Sequence, residues 1–160
     1  MKDIVCIGGV THDIFFKSKF QSLDGKLSLP WGEKVVVDDM AVALGGGGAN
    51  AAVGFSRLGL KTALLARVGV GHISQSVVEQ LKKEKVDTTW VIKDPQSYTA
   101  TSVLLLDTVS GERTIVMYRG RNDFFDIEVL DVGRLLDTRW LYIADLALSD
   151  DSNSFIEELT

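Results

Sequence analysis

The run Ile4-Val5-Cys6-Ile7-Gly8-Gly9-Val10 contains no polar side chain. A strand that alternates polar and apolar residues needs cover on one face, whereas a continuous apolar run needs it on both, so this segment belongs inside a parallel sheet. Further strand-like runs occupy Thr62 to Val68, Thr88 to Ile92 and Trp140 to Ala144, and stretches of helical spacing separate them. Ala51, Phe55 and Leu58 recur at steps of four and three, with Gly59 where a C-terminal cap belongs. Ile73, Val77, Val78 and Leu81 mark a second stripe that ends in the wet run Lys82-Lys83-Glu84-Lys85. A third helix is expected to carry Ile127, Leu130 and Leu135 behind an Asp126 cap. Strands alternating with helices specify an α/β architecture: a doubly wound, mostly parallel sheet flanked by helices.

Two stretches do not fit that alternation. Residues 14–44 hold Phe15, Phe16 and Phe20, then Pro30-Trp31-Gly32, then Val35-Val36-Val37, with turn signals between them, and read as strands of a side sheet. Thr101 to Leu106 and Arg113 to Tyr118, joined by a loop containing Ser110-Gly111, form a hairpin that can extend it. Near the end, Ser154 and Glu157 have capping-box spacing, yet the chain finishes at Thr160 about one turn later, so the sequence reads as cut short.

A net charge of -5 over 160 residues, with Lys and Arg scattered, argues against nucleic acid and against an anionic membrane as partners. The N-terminus enters a strand directly, and no stretch reaches the ~18 apolar residues of a membrane span, so a soluble, cytoplasmic protein is expected. Cys6 cannot pair within the chain and reads as a small buried apolar residue. Tyr142 and the three tryptophans are expected to serve packing.

Chemistry concentrates at two glycine-rich places. Gly45-Gly46-Gly47-Gly48-Ala49-Asn50 lies between an extended segment and a helix; bare amides at a helix start suit hydroxyl, carboxylate or phosphate oxygens, while the bland alternative is a glycine-rich turn. The run lacks the Lys-Ser/Thr of a Walker loop, and no GxGxxG pattern follows the first strand. Gly8-Gly9-Val10-Thr11-His12-Asp13 puts Thr11 and Asp13 at the carboxyl edge of the sheet, where ligands of open α/β sheets bind and where a carboxylate accepts two sugar hydroxyls. An aspartate that merely closes a turn is the competing reading. Arg119 and Arg121 either reach an acidic sugar or phosphate or are simply solvated. His12 and His72 have no ligand partners at metal-binding spacing.

Together these stretches resemble the ribokinase (PfkB) family of carbohydrate kinases. The resemblance runs through Gly32-Glu33-Lys34-Val35, Gly45 to Ala52, Arg57-Leu58-Gly59, Ala66-Arg67-Val68-Gly69, Gly111-Glu112-Arg113-Thr114 and Tyr118 to Asn122. It implies a core built from about 1–13, 45–97 and 123–160, and a small β lid from about 14–44 and 98–122. It also implies a small-molecule sugar substrate held by Thr11, Asp13, Gly46, Gly47 and Asn50, with Arg119 as a further contact, and ATP and Mg2+ as the phosphoryl donor and its metal. The family's catalytic aspartate would lie beyond Thr160, so the chain by itself is expected to be inactive and to dissolve poorly. Lids of the family often pair across a dimer, which leaves room for a homodimer through the β lid. Thr11 and Gly47 stand where ribokinases proper have asparagine and lysine, so ribose is not implied. A nucleoside kinase of the adenosine type is a neighbouring alternative, and a non-catalytic sugar-binding or interaction module is the alternative from another class.

Overall fold

The computed structural model of the chain describes residues 1–122 and 131–144. Four strands, β1 (Lys2–Ile7), β6 (Thr62–Val70), β7 (Val91–Tyr98) and β10 (Thr138–Ile143), form one sheet in the order β10-β1-β6-β7, and every neighbouring pair is parallel. A second sheet has the order β5-β2-β8-β9, from β2 (Thr11–Ser18), β5 (Asp39–Gly45), β8 (Thr101–Asp107) and β9 (Arg113–Tyr118). The short strands β3 (Gln21–Leu23) and β4 (Lys26–Ser28) pair as a hairpin. Helices α1 (Gly47–Arg57), α2 (His72–Lys83) and the single turn α3 (Val132–Leu135) complete the described residues.

The central strands β1 and β6 are covered on both faces, as the apolar run of β1 requires. Ile4 and Cys6 join Leu64, Ala66 and Val68 beneath Ala49 and Ala52 of α1 and Val77 and Leu81 of α2. Val5 and Ile7 point the other way and meet Ala63, Leu65 and Leu135 of α3. This is the α/β doubly wound arrangement read from the alternation of strands and helices. Cys6 is fully buried, and desolvation pushes its thiol pKa up to about 12. Among the described residues no helix is long and apolar enough to cross a membrane.

Several local expectations need correction. Val35, Val36 and Val37 form no strand, and Val35 and Val36 are exposed, because pairing with β2 begins only where Asp39 faces Lys17 and their side chains make a 3.0 Å ion pair. Thr88 does not start a strand: the Asp87 carboxylate accepts the Thr89 N–H at 2.9 Å and turns the chain, so β7 begins at Val91. Leu58 is exposed instead of packed, since α1 ends at Arg57 in a Schellman motif: Gly59 at φ 92 donates to the Ser56 carbonyl and Leu60 to that of Phe55. Ile73 is likewise exposed, and the buried polar partner of Val77 and Leu81 on α2 is Ser74. Trp31 and Trp140 are exposed and do not serve the core; Tyr142 does pack, edge-on against Phe55 with ring centroids 5.5 Å apart. The turn α3 is capped by Asp131, whose carboxylate accepts the Arg134 N–H. Asp126, Ile127 and Leu130, and the Ser154–Glu157 capping pair, lie outside the described residues.

The first turn of α1 rests directly on the end of β1. A Cβ on Gly48 would sit 2.6 Å from the Gly8 carbonyl carbon, and one on Gly46, at φ 93, would sit 2.7 Å from the Val10 Cα. Gly54, six residues further along the same helix, has nothing within 4 Å of its Cβ direction. Gly48→Ala is therefore expected to destabilise by about 1–3 kcal/mol through overpacking. Gly54→Ala should stabilise by about 0.5–1 kcal/mol through helix propensity. Thermal melts of the two variants check both signs.

Candidate functional site

The chain leaves β1 at Ile7 and crosses into the second sheet through Gly8, Gly9 and Val10, so β2 starts with Thr11 where the two sheets meet. Thr11 is 4% exposed, and its hydroxyl donates to Asp13 Oδ1 at 2.9 Å. Thr11 lies opposite Gly45 of β5 and Asp13 opposite Ala43. A Cβ at Gly45 would collide with the Asp13 carboxylate and come within 2.6 Å of Thr11 Oγ1. The first glycine of the run thus makes room for the carboxylate to lie across β5. The second, Gly46, lets the chain turn into α1 against the Gly9 carbonyl, to which Ala49 N–H donates at 3.2 Å. Asn50 N–H bonds back to the Gly46 carbonyl at 2.9 Å, while Gly47 is exposed at the first helical position, where an amide has no intrahelical partner.

Thr11, Asp13 and Gly46 are thus brought together with Gly45 around one crossover. Asn50 stands exposed on the next turn of α1, and lines a groove of about 490 Å³ with Ala43, Leu44, Val53 and the Arg57–Glu84 ion pair. Asp13 is not among the residues lining that groove, although it faces Ala43 across the strand pair. Arg119 is exposed just past β9, a strand separated from β2 by β8, and its carbonyl accepts the Asn122 N–H at 3.3 Å. Two residues at this site escape a reading of the sequence. Gly45 is indistinguishable there from the glycines that follow it. Ser102, 6% exposed, stands in register beside Asp13 on β8, and only the parallel pairing of β2 with β8 brings it there.

A buried charged cluster flanks the junction on the β7 side. Arg67 of β6 pairs with Ile92 of β7, and Asp94, two residues on along the same face and 3% exposed, meets Arg67 at 3.0 Å. Arg121 adds a second ion pair to the same oxygen at 3.4 Å and donates to Gln96 Oε1 at 3.0 Å. The Gln96 N–H donates to the other carboxylate oxygen at 2.8 Å. That backbone bond, with the Arg67 hydrogen bond and the two guanidinium charges, holds the Asp94 carboxyl below its ordinary value, and desolvation opposes them. A depressed folded-state pKa contributes stability above the unfolded carboxylate pKa of about 3.9, and that contribution is lost as pH falls through the lower folded value. Asp94→Asn is therefore expected to lower the melting temperature at pH 7, with the gap to the unmodified protein narrowing on acidification to about pH 3. Melting curves at the two pH values check this.

Comparison with known proteins places this geometry. The chain belongs to the pfkB family of carbohydrate kinases, whose model matches residues 1–160. It is similar to the fructokinase of Vibrio alginolyticus, 36% identical over 112 residues that make up 67% of this chain and 34% of that protein. It is also similar to the ribokinase of Bacillus subtilis, 28% identical over 123 residues, 77% of this chain and 39% of the relative. Among solved structures, ribokinase from Giardia lamblia shares the fold with a TM-score of 0.82 at 16% identity, over 99% of this chain and 50% of that one. Ribokinase from Cryptococcus neoformans, solved with ADP, shares it with a TM-score of 0.67 at 22% identity, over 89% of this chain and 40% of that one. The chain thus spans about a third of the length of these curated relatives and up to half that of the solved structures.

Proposed function

We propose that this chain is the substrate-binding half of an ATP-dependent sugar kinase that phosphorylates a hydroxymethyl group of its substrate. The observation that carries the reading is the Asp13 carboxylate, oriented by the Thr11 hydroxyl and laid across Gly45 at the junction of the two sheets. A carboxylate with one oxygen engaged by Thr11 still has lone pairs for the hydroxyls of a polyol. Gly46 and Gly47 offer backbone amides beside it, Asn50 a carboxamide one turn on, and Arg119 a guanidinium for an acidic substituent. These groups bind and orient the sugar. The deprotonating aspartate is proposed to lie beyond Thr160 in a longer protein, so this chain alone transfers no phosphate. ATP supplies the phosphoryl group. Its Mg2+ would be held mainly by the ATP phosphates and water, and among the described residues no three His, Cys, Asp or Glu side chains gather to hold a metal ion by themselves. In this reading the second sheet is the lid over the sugar.

The full gene product, assayed with ATP against D-fructose, D-ribose, 2-keto-3-deoxygluconate and adenosine, is expected to turn over one of the sugars. Asp13→Asn should then cut kcat/KM for that sugar by about 10- to 100-fold, the range of hydrogen bonds to a charged group. Failure on all four substrates counts against the reading, and turnover of adenosine alone assigns the protein to nucleosides.

We further propose that the far face of the lid binds a second copy of the chain. Val42, Ile14, Val103 and Val116 form one apolar row across the four strands, and Met40, Phe16 and Leu105 continue it. Met40, Val42 and Val116 are 59%, 49% and 60% exposed, which is costly for a contiguous apolar face left in water. Light scattering should find a dimer that Val116→Glu converts to monomer; a monomeric parent protein overturns the proposal.

A further inference from the structure

We propose that Asn122 is a positioning residue: through the Val10 amide it fixes the crossover that presents Thr11 and Asp13 to a bound sugar. The inference rests on the sugar-kinase reading of that site. Asn122 is 5% exposed, and its Oδ1 accepts the Val10 N–H at 3.1 Å, a bond between residues 112 positions apart in the chain. Its carboxamide nitrogen occupies the space a Cβ on Gly9 would take, 2.7 Å from that point, so Gly9 is bare where Asn122 approaches.

The crossover is otherwise held from the side of α1, by the Ala49 N–H on the Gly9 carbonyl and by Gly46 against Val10. The Val10 side chain itself is fully buried in the core cluster beneath α1. Asn122 supplies the hold from the opposite end of the second sheet. It follows β9 by four residues, and its neighbour Arg121 is tied to Asp94 and Gln96 of β7. Residues 119–122 therefore form a strap from the far edge of the second sheet back to the parallel one. The strap grips the Gly9–Val10 peptide unit, one residue ahead of Thr11, whose hydroxyl in turn holds Asp13. A buried donor left without its acceptor is costly, so the crossover relaxes when the carboxamide is removed, and Asp13 moves with it.

The test uses the full gene product, with D-fructose as the first probe and any sugar it turns over thereafter. Asn122→Ala is expected to raise the sugar KM by about 10-fold while the KM for ATP stays level, and Asn122→Asp, which keeps the acceptor, should recover most of the loss. Because Asn122 acts through Asp13, adding Asn122→Ala to Asp13→Asn should cost no further affinity. Amide exchange over residues 8–13 should quicken in Asn122→Ala and remain unchanged in α2. An unaltered sugar KM, KM values for sugar and ATP that rise together, or losses that multiply in the double variant overturn the proposal. If the parent protein turns over no sugar, the kinase reading fails on its own terms. Exchange over residues 8–13 then decides whether Asn122 holds the crossover, and unchanged exchange in Asn122→Ala overturns it.

Discussion

The contact on which the rest of the molecule depends is the bare-backbone approach of α1 to the end of β1, Gly48 on Gly8 and Gly46 on Gly9 and Val10. No side chain separates the two elements, so the helix begins within hydrogen-bond reach of the strand end, and the Ala49 N–H finds the Gly9 carbonyl. The crossover from the parallel sheet into the second sheet is thereby locked, and the first two polar residues after it stand at the junction. The entropic cost of four consecutive glycines is accepted for geometry: each of Gly45, Gly46 and Gly48 has a different neighbour where its Cβ would be. Gly47 is the exposed one of the four.

Much of this was legible in the sequence because burial on two faces leaves a plain mark. The unbroken apolar run of β1 required cover above and below, and Ile4 and Cys6 are covered by α1 and α2 while Val5 and Ile7 are covered from the other side. The helices were legible through Val77 and Leu81. The Leu58 position was not, because a helix end can turn its last apolar residue outward once a Schellman motif has closed it, and neither was Ile73, since the first turn of α2 buries Ser74 in its place. The three valines at 35–37 have strand propensity, and a strand needs a partner in register, which Lys17 provides only from Asp39 onward.

At the candidate site the sequence located Thr11, Asp13 and the glycine run, since each is local to a strand end or a helix start. It could not locate Ser102 or Asn122. Ser102 depends on the register of two parallel strands, and Asn122 on a hydrogen bond across 112 residues; neither leaves a periodic trace. The Asp94 cluster was hidden for a related reason. Asp94 shares a strand face with Ile92, which pairs with Arg67, and only the pairing of β6 with β7 brings the two charges together.

The pairing of β1 with both β6 and β10 bears on how the chain assembles. Lys2 meets Thr138 and Ile4 meets Thr62, so the strand synthesised first is completed by the strand made last among those described. Closing so long a loop precedes any reward from the contact, which slows such parallel pairings and leaves apolar edges uncovered meanwhile. During translation the opening segment, once half-clothed by α1 and β6, therefore waits for the chain from Val70 to Thr138 to emerge before its other edge is paired.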